Sequence, residues 1–255
     1  MIIDLFIFCF GLIFGSFLNV LIVRLPKNKS FITTRSSCPN CNIIIKWYEN
    51  IPIASYIFLK GKCSSCKQNI SILYPTVELL TAFVTLALYW KLSLSIEFIQ
   101  MCIIFYLFIV LSFIDFKYKA VPDYLLLIIL LLSIFLFPFN FIHLQNAMLF
   151  AGGFVLLNFI VTFYIQNIKA KITKDETLKT QEALGEGDIP IVASIGAILG
   201  IYSGFIAIFL AALFALIPSI YNTIIKKDIQ TPFIPFLALG CFVEYIFNFT
   251  SWLAV

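Results

Sequence analysis

Charge is what this 255-residue chain has least of: 12% of its residues are Asp, Glu, Lys or Arg, whereas 62% are hydrophobic. A soluble domain is about a quarter charged and about half apolar, so these charges cannot clothe a water-facing surface of this size. Disorder, collagen, a nucleic-acid-binding module and a small disulfide-stapled secreted fold each need a composition this chain lacks. Histidine is scarcer still, with His143 alone. A zinc protease of the H-E-x-x-H type needs two histidines, and no Ser and Asp constellation accompanies this one to make a Ser-His-Asp triad. His143 is expected in a loop at a membrane interface, where polar tips collect. What remains is a polytopic membrane protein.

Apolar runs occupy about 1–23, 76–90, 96–114, 124–139, 146–166, 189–203, 205–221 and 233–252. They are continuous and rich in Leu, Ile and Phe, not alternating, which excludes a β-barrel and predicts helices. A full crossing takes about 20 residues, so the second and sixth runs are short; Pro75 and Pro190 shorten them, and Gly196 with Gly200 suits close packing over a straight crossing. The fold expected is an all-α polytopic membrane protein of about eight transmembrane helices with one large polar loop. No removable signal peptide is expected, because Met1-Ile-Ile-Asp4 lacks a basic segment and no small-residue cleavage site follows.

The basic residues set the orientation. Eight lie in 24–73, and the rest are Lys117 and Lys119, Lys169, Lys171, Lys174 and Lys179, and Lys226 and Lys227, with Lys91 as the exception. Each basic loop follows an odd-numbered run, so the positive-inside rule places these loops in the cytoplasm and both termini outside. The net charge of +4, gathered on that side, suits contact with anionic lipids better than nucleic acid.

Two cysteine pairs stand out in the one large loop: Cys38-Pro-Asn-Cys41 and Cys63-Ser-Ser-Cys66. Two C-x-x-C turns at such a separation can present four thiolates to a tetrahedral Zn²⁺. A disulfide suits a cytosolic loop poorly; redox chemistry stays open, although it needs only one C-x-x-C and a βαβ context. A closed four-thiolate site would fold the loop and take no part in chemistry. Cys9, Cys102 and Cys241 sit inside apolar runs as small core residues.

Acidic residues in or beside membrane spans need a reason. Asp115 ends the third run, and Asp188 opens the sixth within Gly185-Glu186-Gly187-Asp188. Two converging carboxylates suffice for aspartyl proteolysis, one taking a proton from water while the other donates one to the scissile carbonyl. The alternative is that each merely terminates a helix. Gly185 and Gly187 let a peptide lie close to the backbone and can take dihedrals closed to other residues. Asp123, after Val121-Pro122, reads as a helix N-cap, and Glu78 as an acid in the first turn of the second span. Glu244 lies deep in the last run without an evident role.

Together these residues resemble the type IV prepilin peptidases, membrane aspartyl proteases of the G-x-G-D type. Gly15-Ser-Phe-Leu-Asn-Val20 with Arg24-Leu-Pro26 is similar to the family's N-terminal signature, and the cysteine pairs with Trp47-Tyr-Glu-Asn-Ile-Pro52 to its zinc loop. Tyr74-Pro-Thr-Val-Glu-Leu79, Asp115 with Val121-Pro-Asp123, G-E-G-D at 185–188, and Pro235-Phe-Leu-Ala-Leu-Gly240 continue the series in order. The chain departs at Pro190, where the family usually carries lysine, and at Ile234, where it carries glycine.

The resemblance implies an enzyme of the bacterial inner membrane that cleaves the basic leader from prepilins and pseudopilins, usually between Gly and Phe, at the cytoplasmic face. It implies Asp115 and Asp188 as the catalytic pair, and Cys38, Cys41, Cys63 and Cys66 as zinc ligands. It further implies N-methylation of the new terminal residue by S-adenosyl-L-methionine, an activity associated with the zinc loop. The domains implied are a first membrane helix over 1–23, the zinc loop over 24–73 and a peptidase core over 74–255.

Overall fold

The computed structural model describes residues 1–30, 35–173, 176, 185–221 and 232–253. Lys174, Lys179, Lys226 and Lys227, counted among the cytoplasmic cations above, lie outside the described residues. The chain forms two compact units, Met1–Pro122 and Asp123–Val255. Among the described residues the regular structure is helical, with two isolated β-bridges, Ser37 to Ile44 and Lys62 to Asn69.

The first unit contains α1 (Ile2–Arg24), the short α2 (Ala54–Phe58), α3 (Leu73–Leu92) and α4 (Ile96–Tyr118). Helix α3 is a full 20 residues, longer than the apolar run predicted. Pro75 sits in its first turn, where a missing N–H removes no helical hydrogen bond. Helices α1 and α3 pack antiparallel in one sustained register. The indole N–H of Trp90 donates to Asp4 at one end (3.1 Å) and the amide of Asn19 to the Tyr74 carbonyl at the other (3.0 Å). Between them a Cβ on Gly11 would lie 2.6 Å from the Ala82 Cα, and one on Gly15 2.6 Å from the Glu78 Cα. Membrane helices associate through such close backbone approach, because lipid supplies no hydrophobic drive between them. Helix α4 joins through a buried hydroxyl pair, Thr85 to Tyr106, at 2.7 Å.

The second unit contains α5 (Asp123–Ile134), α6 (Phe141–Phe163) continuing through a π-helical stretch Tyr164–Lys169 into α7 (Ala170–Thr173), then α8 (Asp188–Tyr221), α9 (Ile234–Phe247) and α10 (Phe249–Leu253). The sixth and seventh apolar runs form the single helix α8, broken at Gly200, whose φ is +78° and ψ −173°. Helix α6 accommodates this break with three side chains spaced along one face. His143 Nδ1 donates to the Ala197 carbonyl (2.8 Å), a group that a break three residues later deprives of its regular helical partner. Asn146 lies beside Gly200, and the Phe150 ring fills the space opened by Gly196 and Gly204. His143 is thus not a loop residue: it belongs to the first turn of α6, capped by Asn140. Pro190 is the third residue of α8 and does not delay its start.

Among the described residues, five helical segments are long and apolar enough to cross a membrane, namely Ile2–Lys27, Leu73–Leu92, Ile96–Tyr118, Phe141–Ile172 and Asp188–Tyr221, while α5 and α9 are shorter apolar helices. This is a multipass membrane protein.

Candidate functional site

The cysteine loop is built from two copies of one turn. In the first, the Cys38 N–H donates to the Ile43 carbonyl (3.0 Å), the Asn42 N–H to the Cys38 carbonyl (2.9 Å) and the Ile45 N–H to the Ser36 carbonyl (2.9 Å). Cys63 to Gln68 (2.9 Å), Lys67 to Cys63 (3.1 Å) and Ile70 to Gly61 (2.7 Å) repeat the pattern 25 residues later. Each turn closes on a left-handed residue, Asn42 (φ +56°) and Lys67 (φ +59°). The backbone therefore repeats where the sequence, apart from its C-x-x-C pairs, does not.

The turns face one another and bring the four sulfurs within 4.8 Å of one another, with Cys38 to Cys66 at 3.8 Å and Cys41 to Cys63 at 4.0 Å. A tetrahedral ion with Zn–S bonds of about 2.3 Å holds its sulfurs roughly 3.8 Å apart, so the donor set fits. The thiols share charge unevenly. Backbone N–H groups of Cys41 and Asn40 hold Cys38 below the ordinary thiol value, and the Gln68 N–H, helped by the Asn40 amide, brings Cys66 down to about 6. The Ile43 N–H favours the Cys41 thiolate, but desolvation and the other three sulfurs push this thiol up to about 11. A bound divalent cation would deprotonate all four.

The loop is fastened to the membrane helices by Glu78. This residue is buried in the second turn of α3 and not in the first turn as its sequence position suggests, and its carboxylate accepts the Ile53 N–H at 2.8 Å. Ile53 itself has φ +59°, a backbone state that costs a β-branched residue. Neither side of this contact was legible beforehand; the only hint was a carboxylate inside an apolar run.

The two candidate aspartates belong to different units. Asp115 occupies the last turn of α4, where its carbonyl accepts the Lys119 N–H (2.9 Å) and Lys119 turns left-handed (φ +52°) to end the helix. Asp188 is the first residue of α8, reached through a turn in which its N–H donates to the Gly185 carbonyl (3.1 Å). Both are buried, at 8% exposure each. A Cβ on Gly185 would lie 3.5 Å from the Asp188 Oδ2, an ordinary contact. Positive φ values among the described glycines occur at Gly61 and Gly200, not at Gly187. Asp123 opens α5 and is exposed.

Glu244, for which the sequence offered no role, is a structural cap. Its Oε1 accepts from the backbone N–H (3.2 Å) and hydroxyl (2.7 Å) of Thr250, and its Oε2 from the Phe249 N–H (3.2 Å). Those are orphan donors at the start of α10.

Comparison with known proteins decides the family. Residues 9–92 match the model described as Bacterial Peptidase A24 N-terminal domain, and residues 102–220 match the Type IV leader peptidase family. A "Prepilin leader peptidase/N-methyltransferase" of Neisseria gonorrhoeae is 31% identical over 96% of this chain and 91% of its own length. The chain belongs to the type IV leader peptidase family. A protein of the same name from Bacillus subtilis (strain 168) is 31% identical over 95% of this chain and 93% of its own length. A third, from Myxococcus xanthus (strain DK1622), is 34% identical over 76% of this chain, and that match spans 55% of the relative. No solved structure matches. The leader-peptidase match contains both Asp115 and Asp188, and the N-terminal match contains all four clustered cysteines.

Proposed function

We propose that this protein is an aspartic endopeptidase that removes the leader of prepilins or pseudopilins at a Gly-Phe bond and then N-methylates the exposed residue using S-adenosyl-L-methionine. The observation that carries the first activity is the setting of the two carboxylates: each is buried at the end of an apolar helix, and the ends are of opposite polarity. The N-terminal end of α8 carries partial positive charge and favours the Asp188 anion, whereas the C-terminal end of α4 carries partial negative charge and favours the protonated form of Asp115.

Asp188 is therefore the base and Asp115 the acid. Asp188 takes a proton from water as the water oxygen attacks the scissile carbonyl carbon, and Asp115 gives its proton to the carbonyl oxygen. The resulting diol collapses as the peptide C–N bond breaks: its electron pair goes to nitrogen, which takes the proton that Asp188 had accepted, while one diol hydroxyl returns its proton to Asp115 and leaves the carboxylic acid.

The zinc ligands are Cys38, Cys41, Cys63 and Cys66, and the ion would hold the two turns together with no coordination position left for a substrate. The loop over 24–73 then serves methylation and 74–255 cleavage. The basic loops face the cytoplasm and its anionic lipids, with both termini outside.

Mass spectrometry of a prepilin co-expressed with the protein tests the whole reading. The expected product is leaderless pilin heavier by one methyl group; Asp115→Asn and Asp188→Asn should each leave the precursor intact. Normal processing by Asp188→Asn refutes the peptidase assignment, and a leaderless, unmethylated product refutes the methyltransferase.

A further inference from the structure

Along α1, Phe6, Phe10, Ile13, Phe17, Val20 and Arg24 recur at alternating steps of four and three residues and so share one face of the helix. The first four are exposed, on a helix long and apolar enough to cross a membrane. This face therefore meets lipid. Its last three members line a cavity of about 250 Å³ whose other wall is the cysteine loop, through Arg35, Ser36, Ile45, Trp47 and Asn50, all within the first unit.

The cavity has one sign of charge: two guanidinium groups line it and no carboxylate does. Its surroundings repeat the imbalance, because eight Lys and Arg over 24–73 stand against one Asp or Glu, Glu49, which accepts the Lys46 N–H (3.3 Å). The guanidinium of Arg24 is set in place by two backbone carbonyls of the loop, Ser30 (Nη1, 3.2 Å) and Arg35 (Nη2, 3.2 Å). The Arg35 side chain makes no hydrogen bond or ion pair among the described residues. Trp47 is 77% exposed, and an exposed indole at the end of a membrane span belongs at the level of the lipid head groups.

We propose that this cavity binds the phosphate of an anionic phospholipid from the leaflet on the cysteine-loop side, with the acyl chains lying along Phe17, Ile13 and Phe10. The planar guanidinium forks of Arg24 and Arg35 are the matched donors for phosphate oxygens, and the Asn50 amide offers a donor to the head group. Continuity of the cavity floor with the lipid-facing stripe favours a lipid over a soluble phosphate, which has no use for Phe17 and Val20. The inference stands apart from the peptidase and methyltransferase readings. Its consequence falls on the metal loop. Ser36 and Ile45 line the cavity and are bonded to each other, Ile45 N–H to Ser36 carbonyl (2.9 Å), in the turn that carries Cys38 and Cys41. A bound lipid thereby holds the first cysteine turn at the membrane surface.

The test is native mass spectrometry of the zinc-loaded full chain in detergent, titrated with phosphatidylglycerol or phosphatidylcholine. The variants are Arg35→Ala, Arg35→Lys, Arg35→Glu and Lys60→Glu, the last a charge reversal at an exposed loop residue outside the cavity. Zinc content and melting temperature establish that each is folded. Wild type should hold one phosphatidylglycerol about 10-fold more tightly than phosphatidylcholine. Arg35→Ala should weaken that binding about five-fold and Arg35→Glu ~10-fold or more, whereas Arg35→Lys and Lys60→Glu should lose less. Phosphatidylglycerol should also raise the melting temperature of wild type and not that of Arg35→Glu. Equal binding of the two lipids overturns the proposal, and so does a loss in Lys60→Glu as large as in Arg35→Glu, which would mark diffuse surface charge. Glycerol phosphate that displaces the lipid at equal concentration makes the cavity a soluble-anion site, and the proposal falls. A photo-crosslinker at Ile13 that captures a second copy of the chain or a co-expressed prepilin makes the stripe a protein-docking face and overturns it as well.

Discussion

Glu78 and Ile53, 25 residues apart, join the cysteine loop to the membrane helices: the buried carboxylate on α3 accepts the backbone N–H of Ile53 at 2.8 Å, where the chain is held at φ +59°. A buried polar group is tolerated when it is hydrogen-bonded, and a strained backbone persists when its surroundings over-determine it. Each residue answers for the other.

Glu78→Ala leaves that N–H without its acceptor and should lower stability by about 1–3 kcal/mol, whereas Glu78→Gln retains an acceptor and should cost less. Ile53→Gly relieves the positive φ and should offset part of the Glu78→Ala loss. Thermal melts in detergent, with limited proteolysis of 24–73, measure this; equal melting temperatures for wild type and Glu78→Ala would refute it.

The glycines of α1 and α6 predict opposite signs. Gly15→Val drives a side chain into the Glu78 backbone at 2.6 Å and should destabilise by about 1–3 kcal/mol or more. Gly152 has nothing within 4 Å of its would-be Cβ, so Gly152→Ala in the middle of α6 should stabilise by about 0.5–1 kcal/mol. The two melting shifts should bracket wild type.

Glu244 and Thr250 act as a unit. Glu244→Ala strips three hydrogen bonds from the start of α10 and should cost about 1–3 kcal/mol. Thr250→Val removes one of these bonds together with the 2.7 Å contact to the Ser203 hydroxyl. The double variant should be less destabilised than the two single effects added together; strict additivity would show that the contact carries no energy.

Zinc content should be one ion per chain and should fall on acidification, because every ligand must be a thiolate. The sign follows from proton competition with the ion at all four thiolates; without the ion the thiols themselves diverge, Cys38 and Cys66 lying below the ordinary 9.0 and Cys41 above it. Inductively coupled plasma measurements across pH, with Cys63→Ser as the depleted control, check both statements. Zinc retained undiminished by Cys63→Ser would exclude the four-thiolate site.

The helices were legible because continuous apolar runs leave the backbone no partner but itself in lipid. The cysteine cluster was legible because the C-x-x-C spacing is a local geometric constraint. Asp115 and Asp188 were readable as helix-end carboxylates for the same reason, as polar residues placed where apolar runs stop. Glu78, Glu244 and His143 were not, since each answers a backbone group whose position depends on where the chain turns or breaks: at Ile53, at the start of α10, and before Gly200.

By itself, then, the sequence determined which segments are helical, which residues can hold a metal, and the family of the enzyme, because periodicity, spacing and the order of motifs are properties of the chain. Only the tertiary structure decided that Gly11 and Gly15 bring α1 against α3, that α8 is one helix broken at Gly200, and that Arg24, Arg35 and Trp47 line one cavity. Those are relations between distant residues, set by packing and by the need to satisfy every buried hydrogen-bonding group.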